Sequence, residues 1–262
     1  MLVAYTRAVS PRLAACELTH LERTPIDVSR AAVEHAAYEA RLASLGARIC
    51  QLPPEPAMPD AVFVEDAAIV LDELAMITRP GAESRRPETA SVAAALEPLR
   101  PLRFLAEPAT LDGGDVLVLG RRVFVGLSSR SNEEAVAQLG EWLAPFGYAV
   151  LGVAVSGALH LKSAVTSLEA GTLLVNPAWV DPAAFGEPVV IEVHPGEPQA
   201  ANALALERRV ILPAAFPRTA GRVSALGLEV VPVEVTELAK AEGGVTCCSL
   251  IVRGAWKDWP RP

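Results

Sequence analysis

One pattern recurs along this chain: two short apolar runs on either side of a polar or glycine-containing turn, in "AAIVLDELAMITRP", "DVLVLGRRVFVGL", "AVTSLEAGTLLVNP" and "ALALERRVILPA". Runs of that length around a tight turn read as β-hairpins. Two of them align position by position, V-L-V-L-G-R-R-V-F-V from Val116 with A-L-A-L-E-R-R-V-I-L from Ala203, so the pattern is an internal repeat. A polar residue introduces each run, at Asp66, Asp115, Ser163, Asn202 and again at Thr246, with spacings of 39 to 49 residues. The N-terminal "LVAYTR" supplies the strand that the fifth unit needs. Helical periods alternate with these runs: Ser29 to Leu52 is the clearest, with Ser29 as its cap, and Glu88 to Leu99, Asn132 to Phe146 and Phe216 to Leu226 follow. Five such units can close around an axis with their polar strand ends converging at a centre. The same elements also fit a plain α+β sandwich, and periodicity does not choose between the two.

Composition narrows the chemistry. Hydrophobic residues make up 51% of the 262, with 22 prolines and 18 glycines, as a sizeable core with many tight turns requires. No apolar run reaches the roughly 18 residues of a membrane span, and arginines interrupt the N-terminus where a signal peptide is apolar, so a cytoplasmic protein is expected. In a reducing compartment Cys16, Cys50, Cys247 and Cys248 do not suggest a disulfide framework, and their spacing does not suit structural zinc. A net charge of −8 argues against nucleic acid. It is compatible with a cationic ligand and equally with ordinary solubility.

Few residues are equipped for catalysis. Of four histidines, His20, His35 and His194 read as surface residues, whereas His160 in "GALHLKSAV" stands at the mouth of an apolar strand. Cys247 and Cys248 in "EGGVTCCSLIVRG" read as part of a buried strand, whose side chains alternate between faces. One thiol could then face a central site while the other packs in the core; two packing thiols are the plainer alternative. Carboxylates cluster before apolar runs, with Asp60, Glu65 and Asp66 in "PDAVFVEDAAIV" and Asp112 and Asp115 around two glycines in "LDGGDVLVL". Arg85, Arg86 and Arg130 follow hairpins and offer forks for a carboxylate, or else are solvated loop charges. No G-x-S-x-G elbow, Walker loop or H-E-x-x-H motif is present.

Taken in order, "MPDAVFVEDAA", "ITRPGAESRR", "ATLDGGDVL", "VGLSSRSNEEA", "LHLKSAV" and "EGGVTCCSL" closely resemble the dimethylarginine dimethylaminohydrolase family of the guanidine-modifying (pentein) superfamily, from about Tyr5 to Arg253. The resemblance implies an α/β fold, a five-bladed α/β-propeller of ββαβ units in one catalytic domain over residues 1–254, with the tail 255–262 unstructured. It implies hydrolysis of Nω-methylated L-arginines to citrulline, with Cys247 as nucleophile, His160 as general acid and base, and Asp112 orienting the histidine. Asp60, Glu65 and Asp66 would surround the guanidinium and neighbouring polar atoms. Arg85 and Arg130 would hold the α-carboxylate, while the carbonyls of Leu18, in the lid loop, and Ala241 would lie near the α-amino group. The lid stretch "SPRLAACELTHLERTP" departs from the family pattern, and Ser131 stands where threonine is expected. No cofactor is implied, and zinc would act only as an inhibitor. The partner is a small cationic amino acid, not nucleic acid or membrane, on a monomer or homodimer. An arginine deiminase and a non-catalytic arginine-binding pentein are the alternatives.

Overall fold

Each apolar pair folds into a hairpin, and each hairpin gains a third strand from the sequence beyond it. The computed structural model describes residues 2–169 and 171–254. In it β1 (Leu2–Thr6) and β2 (Ala47–Gln51) share a sheet; β3 (Ala68–Val70), β4 (Ala75–Ile77) and β5 (Leu102–Phe104) form the next. Then come β6 (Val116–Leu119), β7 (Arg122–Leu127) and β8 (Ala149–Ala154); β9 (Val165–Glu169), β10 (Thr172–Val175) and β11 (Val189–Glu192); and β12 (Leu204–Leu206), β13 (Arg209–Pro213) and β14 (Glu229–Val233). Finally β15 (Leu250–Arg253) returns to pair antiparallel with β1. Every sheet combines an antiparallel pair with a parallel third strand. The parallel step needs a crossover. Helices α1 (Val28–Ser44), α2 (Thr89–Leu96) and α3 (Glu133–Leu143) supply three of them; after the short α4 (Leu161–Ala164), the β10–β11 link holds only a 3₁₀ turn, Pro182–Phe185, and α5 (Pro217–Ser224) supplies the last. A further short helix, α6 (Thr236–Ala239), lies ahead of the cysteine pair.

The central strand of each sheet shows why the apolar runs are continuous. Alternate side chains of β4 enter two different cores: Ala75 and Ile77 pack with Val3 and Val252, whereas Met76 packs with Val116 and Val125. Phe124 of β7 turns toward Val165 and Leu173, and Leu174 of β10 toward Val210 and Leu212. Ile211 of β13 then meets Ala4 of β1, whose neighbour Val3 returns to the first core. The five cores therefore sit between successive sheets and close a ring, a five-bladed α/β-propeller. Strands buried on both faces have no polar side to show, which is why they read as unbroken apolar runs. The repeat seen in the sequence is real in three dimensions: Gly120 and Glu207 occupy the same turn position with φ of 61° and 58°.

Three expectations need correction. The first helix is capped by Asp27, whose carboxylate accepts the Arg30 N–H, and not by Ser29. It stops at Ser44, before Gly46 at φ 91°, and Ala47–Gln51 becomes a strand because it pairs in parallel with β1. His35 is buried on the inner face of α1 near Tyr38, not on the surface, and burial lowers its pKa. The cysteine pair lies in a turn just before β15, not on the strand. The tail 255–262 lies outside the described residues. Among those described, no helix is long and apolar enough to cross a membrane.

Candidate active site

A helical or tight turn precedes each hairpin: Val64–Ala67, Gly113–Asp115, Leu161–Ala164, Pro198–Ala201 and the turn around Thr246. These turns bring polar residues to the hub. The Thr246 N–H donates to Asn202 Oδ1 at 3.1 Å, and Asn202 Nδ2 donates back to Thr246 Oγ1 at 3.0 Å. Thr246 Oγ1 donates to Glu65 Oε2 at 2.8 Å, and Lys162 Nζ donates to the other Glu65 oxygen. Asp66 Oδ1 accepts the Gly114 N–H, and Asp115 Oδ1 accepts the Leu161 N–H, both at 2.9 Å. Four of the five strand-leading residues thus converge. In the third unit Ser163 faces a side cavity, and its neighbour Lys162 reaches the hub instead.

One narrow pocket, of about 20 Å³, opens on this hub. Cys247, His160, Asp66, Asp60, Arg85, Arg130 and Ala241 line it, joined by Glu17, Phe63, Leu159, Glu242 and Gly243, which sequence reasoning missed. His160 Nε2 lies 3.0 Å from Asp112 Oδ2, and Asp112 Oδ1 accepts the Gly81 N–H at 2.9 Å, so the carboxylate fixes the ring from behind. On its other side, His160 Nδ1 is 3.9 Å from Asp66 Oδ1. Gly114 has to lack a side chain here, because a Cβ would stand 2.7 Å from His160 Nδ1 and 2.8 Å from Asp66 Oδ1. Ser131 donates to Asp115 Oδ2 and accepts the Asp112 N–H, tying the two aspartates of "LDGGD" together. Cys247 Sγ accepts the Gly244 N–H at 3.3 Å, while Cys248 is fully buried in the core beside α1. The division between the two thiols expected from strand alternation is present, but a turn produces it.

The remaining candidates sit differently. Glu65 lies behind the pocket, held by Lys162 and Thr246, and Leu18 packs against the core without lining the pocket. The Asp60 carboxylate accepts the Glu17 N–H and so grips the loop that carries Leu18. Arg85 donates to Asp66 Oδ2 at 2.6 Å, to Glu88, and to the carbonyls of Asp60 and Phe63, which uses most of its fork. Arg130 is less engaged: one N–H donates to Thr19 Oγ1 at 3.3 Å, and Nη1 stands 3.6 Å from Asp112 Oδ2.

The charges interact strongly because the site is buried. Burial disfavours a charged His160, but Asp66, Asp112 and Asp115 outweigh it and raise the imidazole to about 9. Burial also opposes ionisation of Asp66, yet His160 and Arg85 bring it down to about 2. Asp115 is pushed up to about 6 by burial, which outweighs the opposing pull of His160 and of its bonds from Ser131, Ser128 and the Leu161 N–H. Burial raises Cys247 to about 12, with Glu65 and Asp66 adding to the shift and the Gly244 N–H opposing it. The resting pair is therefore imidazolium and thiol. Asp66, Asp112 and His160 also offer ligand atoms within 4.8 Å of one another, a set able to hold a cation.

A model of the family described as "N,N dimethylarginine dimethylhydrolase, eukaryotic" matches residues 20–168. The N(G),N(G)-dimethylarginine dimethylaminohydrolase of Streptomyces coelicolor is 42% identical over 95% of this chain and 96% of its own. This chain belongs to the dimethylarginine dimethylaminohydrolase family. The Pseudomonas aeruginosa member is 36% identical over 86% of this chain and 89% of its own. A cysteine-to-serine variant of a P. aeruginosa member, solved with citrulline, superposes with a TM-score of 0.91 at 33% identity, covering 95% of this chain and 98% of that one. The N-terminal domain of ArgZ, at 20% identity and a TM-score of 0.87, shares the fold across 97% of this chain and 98% of its own.

Proposed function

We propose that this chain hydrolyses Nω-methylated L-arginines to L-citrulline and the corresponding methylamine through a covalent thiouronium on Cys247. The observation that carries this reading is the pocket itself: a thiol, a histidine held by Asp112, and Asp66 share one buried cleft with Arg130. A guanidinium is a poor electrophile because its charge is spread over three nitrogens. It needs anions to orient it and a strong nucleophile, so preorganised carboxylates replace the amide donors that serve acyl transfer.

The resting thiol at about 12 is almost wholly protonated at neutral pH, so the thiolate forms when the substrate arrives. The substrate's cation beside Asp66 offsets the negative field that holds the proton on sulfur, and the proton leaves to solvent. Sulfur then attacks the guanidinium carbon, and His160, already an imidazolium, protonates the departing amine as the C–N bond breaks. Now neutral, His160 takes a proton from water as that water adds to the thiouronium carbon. The C–S bond breaks, releasing citrulline and Cys247. Arg130 receives the α-carboxylate, with Arg85 behind it bracing Asp66. Asp60 and the carbonyls of Leu18 and Ala241 mark the amino end.

Side chains supply every group this sequence of steps uses, so no cofactor enters it. A divalent metal on Asp66, Asp112 and His160 would compete with the guanidinium and act as an inhibitor. The test is citrulline release from asymmetric dimethylarginine, monomethylarginine and arginine, with chelator present and Cys247→Ser as control. Release from the methylated substrates alone, abolished in the control, is expected. Release from arginine alone would make the protein a deiminase, and silence with all three would leave only a binding role.

A further inference from the structure

The lid loop between Ala15 and Val28 contains no helix or strand, so its backbone must find partners elsewhere. Three successive N–H groups find the same one. Glu242 Oε2 accepts the Thr19 N–H at 3.0 Å, and Oε1 accepts the N–H groups of His20 at 2.5 Å and Leu21 at 2.6 Å. A run of backbone N–H groups converging on one carboxylate is an anion nest, built here with a side chain of the same protein as the anion. Bonds of this kind are charge-assisted and stronger than neutral ones. Glu242 reaches them from a left-handed backbone, φ 58°, a conformation that only one other non-glycine residue adopts among those described.

The same segment grips the far end of the loop, where Lys240 donates to the Pro25 carbonyl and Glu237 accepts the Asp27 N–H. It then runs through Gly243 and Gly244 into the Cys247 turn, where the Gly244 N–H meets Sγ. Glycine is required at 243, since any Cβ would collide with the Phe63 ring. The backbone between clasp and nucleophile is thereby wedged. Glu242 also stands in the wall between the pocket and a larger cavity of about 400 Å³ that lies behind His20 and Leu21.

We propose that Glu242 is the positioning residue of the lid: its carboxylate fastens Thr19–Leu21 over the site and keeps the substrate's amino-acid end in register with Cys247. This rests on the reaction proposed above for its kinetic readout but not for its structural one. Without the clasp the lid opens, substrate binds less tightly, and bound substrate still reacts. Glu242→Gln is the direct variant, because an amide presents N–H groups where the loop already presents three. His20→Pro is the second; it deletes one donor on an exposed loop and leaves the core untouched.

The experiment combines trypsin cleavage after Arg23, within the lid, with steady-state kinetics on monomethylarginine. At unchanged melting temperature, both variants are expected to be cut at Arg23 at least about tenfold faster than wild type, with citrulline restoring protection. KM should rise about tenfold or more while kcat stays within about threefold. Unchanged cleavage in both variants overturns the proposal, whatever the kinetics show. A fall in kcat with KM and cleavage unchanged also overturns it, by placing Glu242 with the Cys247 turn and not with the lid. A wild type inactive on every guanidine tried would sink the proposed reaction, yet the cleavage comparison would still decide the clasp.

Discussion

Replacing Asp112 by asparagine should lower the pKa of His160, which Asp66 and Asp115 still raise, and flatten the dependence of stability on pH. The ring sits at about 9 in the folded protein against an ordinary 6.5. Because the folded value is raised, the proton favours folding: its contribution is complete below 6.5 and is lost as pH rises through 9. The full contribution is about 3 kcal/mol, of which about 2 kcal/mol disappears between pH 7 and about 8.5. Few other groups interfere in that window. Glu88, at about 7, adds only the end of its titration, and His35, lowered by burial, acts only below 6.5. The raised thiols of Cys16, Cys247 and Cys248 begin to contribute as unfolded cysteines ionise around 8.5, equally in wild type and variant. In Asp112→Asn the amide oxygen keeps the Gly81 N–H, which turns the amide N–H toward His160 Nε2 and favours a neutral ring. Urea midpoints at pH 7.0, 7.5, 8.0 and 8.5, with histidine proton titration by NMR, measure both effects. Wild type should lose stability across the window and the variant no more than about half as much. A wild-type His160 that titrates at or below 6.5, or a flat wild-type profile, would refute the electrostatic account of the site.

Gly114→Ala should cost about 10²-fold or more in turnover, since the methyl displaces both His160 and Asp66; a near-normal rate would show that the ring is not held where described. Cys248→Ala should lower unfolding free energy by about 1 to 2 kcal/mol and leave kcat within about twofold. An inactive but stable variant would mean that the two thiols had been assigned in the wrong order. Arg130→Ala should raise KM far more for monomethylarginine than for agmatine, which has no carboxylate. Equal effects on both would remove Arg130 from carboxylate recognition.

How much of this was legible in the sequence depends on how far each signal reaches along the chain. The hairpins were plain because a central strand buried on both faces leaves an unbroken apolar run; the recurrence of polar leaders allowed a closed ring or a sandwich alike, and only the family resemblance chose the ring. The end of α1 was misplaced because "ARIC" becomes a strand only through its pairing with β1, which no local period records. His35 looked like a surface residue because polarity, not position, was read; its place on α1 faces the cysteine turn. Lys162 was missed because a tight helical turn fans its side chains, so the residue that reaches the hub need not be the one that leads the strand. The clasp at Glu242 joins residues more than 220 apart in sequence by backbone bonds, which leave no trace in side-chain pattern.

The sheet holding β15, β1 and β2 differs from the other four in how it must come into being. Four blades each arise from one continuous stretch, whereas this one joins Leu2 to Arg253. Bringing such distant segments together is the slowest kind of contact to form. Cys247 stands three residues ahead of β15, on the last part of the ring to be ordered. A growing chain that has already gathered Asp66, Asp112 and His160 would still have no thiol among them. Cys247 joins Asp66, Asp112 and His160 only when the ring is sealed, so on the proposed chemistry a half-finished molecule is quiet.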